Sequence, residues 1–105
     1  MTAGARGWLA LAATLAALAM CATLFPHAAL DWQPALARSE PWRALSAAGV
    51  HYSGLHLAAN LAGAAVVGAL GVAAAVSPSM TCACAAAWPL TQFGLLARPD
   101  LLHYG

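Results

Sequence analysis

Lysine is absent from this sequence, and charged side chains of any kind are scarce. Arg, Asp and Glu together make up 7% of the 105 residues, whereas an ordinary soluble domain has about 25% charged residues. The formal net charge is only +1, so the chain has no basic surface of the kind that binds nucleic acid. The composition therefore argues against a soluble domain and predicts no nucleic-acid partner.

The few charges leave long stretches with none. No charged residue lies between Arg6 and Asp31 or between Arg43 and Arg98. A helix that crosses a bilayer needs about 20 mostly apolar residues, whereas a soluble helix needs a polar face. We therefore predict an all-α integral membrane protein with spans at about 8–24, 55–76 and 80–96, the last two separated by the sequence Ser-Pro-Ser at 77–79.

The first span has an alternative interpretation. Arg6 followed by an apolar run and Ala-Met-Cys-Ala is also the pattern of a cleaved signal peptide. A lipoprotein signal would need a small residue before Cys21, and Met20 stands there. The sequence favours a retained span.

The three cysteines indicate no cofactor. Cys21, Cys82 and Cys84 all lie inside predicted spans, where buried cysteine usually behaves as a small apolar residue. The pair at 82 and 84 lacks the second ligand cluster of a metal site. We predict neither a metal nor another cofactor.

The segment at about 25–54 differs from the spans because it contains prolines, tryptophans and charges. Trp favours the membrane–water boundary, and Arg can lay its stem along apolar surface while its head stays wet. The segment therefore predicts an interfacial loop with short helical pieces, anchored by Trp42 and Arg43. Ser39 is expected to cap one such piece, with Pro41 in its first turn.

The second span carries a polar pair, His56 and Asn60. Four residues correspond to about 40° of helical rotation, so both side chains share one face, which continues through Gly63, Ala64 and Gly71. Small residues let a second helix approach closely. The pair could simply hold helices together, or it could supply hydrogen-bond donors that stabilise an oxyanion.

A metal site at this face is disfavoured. His51 and His56 are five residues apart, which would place them on different sides of a helix, and the chain has no His-Glu-x-x-His pattern.

Together these residues resemble the rhomboid family of intramembrane serine proteases. The matching features are Trp42-Arg43, then His51, His56 and Asn60 in the string HYSGLHLAAN, followed by a small-residue helix. The resemblance implies part of a six-helix rhomboid core, with His56 and Asn60 lining the oxyanion hole and Trp42-Arg43 in a loop partly embedded in the membrane.

The end of the sequence is similar to the rhombosortase branch of that family. There an aromatic residue and glycine precede a Gly-x-Ser-Gly motif, and Tyr104 and Gly105 fit that region, with Gly105 either the residue before the motif or its first glycine. The resemblance implies a catalytic serine just after Gly105, membrane-anchored protein substrates with C-terminal sorting segments, and a location in the bacterial inner membrane.

These 105 residues depart from the family pattern in two ways. They contain no Gly-x-Ser-Gly motif, and no histidine corresponds to the general base on the sixth core helix. We therefore expect the chain by itself to be inactive, as the N-terminal part of a longer protease. The alternative is a small non-enzymatic membrane protein that acts through helix–helix contacts.

Overall fold

The computed structural model describes residues 1–98 and 100–101, and within them the chain is helical with no β-strand. The described residues form five α-helices: α1 (Ala3–Ala22), α2 (His27–Leu30), α3 (Arg43–Ser46), α4 (Gly54–Ala73) and α5 (Pro78–Phe93). Within the described residues, 3₁₀ turns lie between α2 and α3 at Pro34–Leu36, between α3 and α4 at Ala47–Gly49, and after α5 at Gly94–Ala97.

In the part of the chain that the structure describes, three helical segments are long and apolar enough to cross a membrane: Ala3–Ala22, Gly54–Ala73 and Pro78–Ala97. This confirms the prediction of three such helices. The first begins five residues earlier than predicted, because Thr2 caps it by accepting a hydrogen bond from the Ala5 amide at 3.1 Å. The second ends at Ala73 rather than near residue 76, because the chain turns before Ser77.

The turn after α4 has the hydrogen bonds of a Schellman motif. The amide of Val76 donates to the carbonyl of Gly71, and the amide of Ala75 donates to that of Val72, both at 3.1 Å. Ala75 occupies the left-handed position with φ of 50°, where glycine is usual. Ser77 then caps α5, and Pro78 takes its first position.

Helix α1 lies between α4 and α5 and runs antiparallel to α4. Its beginning meets the end of α4, where a Cβ on Gly4 would lie 1.9 Å from the carbonyl oxygen of Val76. One turn later the Trp8 indole donates to the Val67 carbonyl at 2.9 Å and covers Gly71 so closely that a Cβ there would lie 1.9 Å from Trp8 Nε1. Small residues therefore set the distance between these two helices.

The small-residue face of α4 was only partly predicted. Ala64 is half-buried and Gly71 is buried as expected, but a Cβ on Gly63 would have no neighbour within 4 Å. Gly68, which was not singled out, is buried against Leu9 and Ala12 of α1. The face of α4 that contacts α1 therefore includes Gly68 and does not include Gly63.

The most deeply buried side chains lie in the α1–α4 loop, which comprises residues 23–53. Trp32 is 1% exposed, and it packs with Ala44, Ala47 and Leu95. Leu95 belongs to the 3₁₀ turn that follows α5. The loop therefore packs against the C-terminal end of the third apolar segment, Pro78–Ala97.

The predicted cap at Ser39 is wrong. The Ser39 hydroxyl donates to the Leu36 carbonyl at 3.3 Å instead of accepting from a helix amide. Helix α3 begins at Arg43, with Trp42 at the cap position and no side-chain cap. Backbone hydrogen bonds close the turn before α3, from the Arg43 amide to the Glu40 carbonyl at 3.1 Å and from the Ala44 amide to the Pro41 carbonyl at 3.2 Å.

Candidate functional site

Arg43 organises the α1–α4 loop from within. Its side chain is 8% exposed, and its guanidinium donates to the Glu40 carboxylate and to the carbonyls of Ala28 at 2.8 Å and Asp31 at 3.1 Å. A buried guanidinium needs such partners because its desolvation is costly. Arg43 therefore ties the start of the loop to α3.

Trp42 has a different environment from its neighbour. Its side chain is 46% exposed, and the Arg43 guanidinium lies 5.1 Å from its ring centroid, which is within cation–π range. The Trp-Arg pair predicted from the sequence thus divides into a buried organising residue and an exposed aromatic ring.

Asp31 connects the Arg43 hydrogen-bond network to the residues that precede α4. It is 4% exposed, and its carboxylate lies 3.7 Å from the Arg43 guanidinium. It accepts hydrogen bonds from Gln33 Nε2 and from the Tyr52 hydroxyl, both at 2.8 Å. Tyr52 lies directly before α4, so this carboxylate joins both ends of the loop.

The Tyr52 phenol is held in its neutral form. Partial burial of the side chain, which is 48% exposed, the hydrogen bond to Asp31 and the negative charge of that carboxylate together raise the pKa of Tyr52 to about 12, because each of them disfavours a phenolate. The ring also packs edge-on against His27, with centroids 5.0 Å apart. Tyr52 and Asp31 were not predicted, since nothing in the sequence pairs residues so far apart.

Four polar side chains lie at the N-terminal end of α4. Ser53 caps the helix by accepting from the His56 amide at 3.1 Å, and His56 and Asn60 follow on the exposed side of α4. The Asn60 amide nitrogen lies 2.8 Å from His51 Nε2, and the His51 and His56 rings meet edge to face with centroids 4.8 Å apart.

The expectation that His51 and His56 lie on different sides of a helix is wrong. His51 lies before α4 and outside any helix, between Val50 and Ser53, which are both extended, so helical rotation does not separate the two rings. The contact does not create a metal site of the usual kind, since the described residues contain no group of three or more His, Cys, Asp or Glu side chains able to hold an ion.

A small cavity adjoins the cluster on the side of α1. Its volume is about 140 Å³, and His51 and Asn60 are its polar lining residues, opposite apolar residues of α1 such as Leu15 and Ala19. On its other side the cluster is exposed. Asn60 lies about 9 Å along the helix axis from Gly54, a depth at which a polar group in a membrane needs protein or water beside it.

The arrangement provides hydrogen-bond donors at a fixed position near one end of an apolar helix. The Asn60 amide and the His56 imidazole can both donate, and neither is buried. Tyr104 and Gly105, the other residues singled out from the sequence, lie outside the described residues.

No family model, curated protein or solved structure matches the chain.

Proposed function

We propose that this chain is the N-terminal part of a rhomboid-type intramembrane serine protease of the rhombosortase branch. The observation that carries the proposal is the cluster at the start of α4. There His51 contacts both of the other motif residues, since Asn60 approaches it to 2.8 Å and the His56 ring packs against its ring.

In this proposal His56 and Asn60 donate to the oxyanion that forms when a serine attacks a peptide carbonyl. Donors that are already oriented in a water-poor site stabilise such an intermediate strongly. The serine and its general-base histidine are expected in sequence following Gly105, with Tyr104 and Gly105 leading into the serine motif. The 105 residues alone supply donors but no nucleophile, so they are inactive.

The α1–α4 loop is proposed to lie at the membrane–water interface. Its interior is filled by Trp32 and by the ion pairs of Arg43, whereas Trp42, Phe25 and Tyr52 remain exposed. Exposed aromatic rings next to an ordered polar network suit the boundary between lipid and water. The substrates would be proteins anchored in the bacterial inner membrane by C-terminal sorting segments.

The test compares this chain with the longer gene product on a transmembrane substrate in detergent. Asn60→Ala in the longer product is expected to lower kcat by roughly 10²- to 10³-fold, the usual effect of removing an oxyanion donor, with the helical content unchanged. Thr91→Ala is the matched control, because Thr91 is a polar residue on α5 whose hydroxyl is bonded to Ala87 of its own helix.

Two results would contradict the proposal. One is turnover by the 105 residues alone. The other is a gene product that lacks a serine motif after Gly105 and does not react with a serine-hydrolase probe.

The second candidate is a non-enzymatic membrane protein that acts by helix–helix contact. It is favoured by the exposure of the third apolar segment, of which only 6% is buried, and by the small residues that line its middle (Cys82, Ala83, Cys84, Ala85, Ala86 and Ala87). A stop codon directly after Gly105, together with cross-linking of Cys84 to a partner helix, would select this candidate.

A further inference from the structure

We infer that His51 is a positioning residue that fixes the side-chain amide of Asn60. Its catalytic meaning rests on the proposed function, whereas the hydrogen bond that it makes does not. The contact joins His51 Nε2 to Asn60 Nδ2 across 2.8 Å, from the segment before α4 to the second turn of the helix.

The proton positions follow from the atoms in contact. His51 Nδ1 lies 3.0 Å from the carbonyl oxygen of Gly49, and a carbonyl only accepts, so Nδ1 carries the proton. In that neutral tautomer Nε2 is an acceptor, and the Asn60 amide nitrogen donates to it. An amide nitrogen has two hydrogens, so one remains for another acceptor.

The imidazole is itself held from several sides. Gly49 ends a 3₁₀ turn packed on α1, where a Cβ on this glycine would lie 3.2 Å from the Cβ of Ala22. Tyr52, the residue after His51, donates a hydrogen bond from its hydroxyl to the buried Asp31. The His56 ring packs against the His51 ring with centroids 4.8 Å apart. The His51 ring therefore has a defined position before it meets Asn60.

These contacts let the loop fix the orientation of a side chain on the helix. The carbonyl of Gly49 sets the His51 tautomer, the tautomer sets the direction of the Asn60 amide, and the second amide hydrogen is left for another acceptor. Without an acceptor at position 51, the amide is free to rotate. A donor that is misplaced by about 1 Å can cost on the order of 100-fold in rate.

The structural test uses a property of the sequence, which has Asn60 as its only asparagine. Selective ¹⁵N-asparagine labelling therefore gives a single side-chain amide pair in an NMR spectrum of the chain in micelles. One of its two protons is expected to be shifted downfield by the ring nitrogen. His51→Phe keeps an aromatic ring against His56 but removes the acceptor, so the downfield shift is expected to vanish.

His51→Gln is the matched conservative variant, because its side-chain oxygen can accept where Nε2 did. It is expected to restore a downfield amide proton. The unfolding midpoint of each variant is measured alongside, and the Gln variant supplies the comparison if the Phe variant fails to fold. A wild-type spectrum with no downfield amide proton, or one in which that proton persists in the His51→Phe variant, would overturn the inference.

Activity is then measured on the longer gene product. His51→Phe is expected to lower kcat by on the order of 10- to 100-fold with KM little changed, and His51→Gln to recover most of the loss. A spectral change in the Phe variant without any loss of kcat would refute the positioning role. If the spectrum responds as expected while no variant, wild type included, hydrolyses a substrate, His51 positions Asn60 as inferred and the proposed protease function is what fails.

Discussion

The α1–α4 loop and the three apolar helices differ in which side chains they bury. In the loop, a tryptophan is 1% exposed, and an aspartate and an arginine are buried with it. In the apolar helices, only 11%, 11% and 6% of the span-forming windows are buried within the protein. Polar residues specify the loop by pairing, whereas apolar residues in the helices face outward and small residues make the contacts.

This contrast reflects the solvent of each region. Lipid is as apolar as a leucine side chain, so helices gain little by burying leucine against one another and associate instead through close backbone approach. The loop must satisfy many backbone groups outside regular structure. Arg43 and Ser46 do so by donating to carbonyls in and beside α2.

The largest effect is expected from breaking the loop network. Arg43→Ala leaves Asp31 and Glu40 without their shared cation and removes one hydrogen bond from each of the carbonyls of Ala28 and Asp31. It should lower the free energy of unfolding by about 3–5 kcal/mol, measured by denaturant titration in detergent. Arg98→Ala is the control, because the Arg98–Asp100 pair is more than half exposed, and it should cause no measurable change. Equal effects of the two substitutions would show that the loop is not held by Arg43.

A smaller effect is expected where small residues set the helix spacing. Gly71→Ala places a methyl group 1.9 Å from Trp8 Nε1, so the indole must move and its bond to Val67 is lost. The expected loss is about 1–3 kcal/mol of unfolding free energy. Gly63→Ala is the paired control, since its new methyl has open space, and alanine in a helix is favoured over glycine. A destabilised Gly63 variant would mean that the face of α4 that contacts α1 has been misplaced.

The turn after α4 offers a stabilising change. Ala75→Gly removes the strain of a left-handed alanine with φ of 50° and should raise the unfolding free energy by about 1 kcal/mol. Ala74→Gly, one residue earlier in right-handed helical geometry, should give no gain. Equal unfolding free energies of the two variants would show that the left-handed conformation of Ala75 is not strained.

The smallest expected effect is a shift in titration. Tyr104→Phe leaves Tyr52 as the only tyrosine, and its phenolate absorbance should appear with a pKa of about 12. Because the folded pKa exceeds the unfolded value near 10, the stabilising contribution of the neutral phenol is complete below about pH 10 and is lost between pH 10 and 12. A titration centred near 10 would show that Asp31 does not hold this hydroxyl.

Much of the helix layout was predictable because it depends on local properties. Charge-free length marked the three apolar helices, and the Ser-Pro-Ser sequence placed the start of α5. The shared face of His56 and Asn60 follows from helical rotation, and both residues lie on the exposed side of α4. The observed helix boundaries differ by a few residues from the predicted ones where a cap or a turn sets them, as at Thr2 and Ala75.

The candidate site was predictable only in part. Asp31 and Tyr52 are distant in sequence and follow no periodic pattern, so their hydrogen bond had no local signal. The contact of His51 with His56 was missed because a helical rotation was applied to a residue that precedes the helix. Such pairs depend on how the loop returns to α4.

The sequence by itself determined which segments are helical and which are apolar enough to cross a membrane, because both properties are sums over neighbouring residues. Only the tertiary structure decided that Gly68 rather than Gly63 meets α1, that Arg43 is buried while Trp42 is exposed, and that His51 reaches Asn60. Those outcomes depend on close approach between distant segments, where a displacement of about 1 Å makes or removes a hydrogen bond.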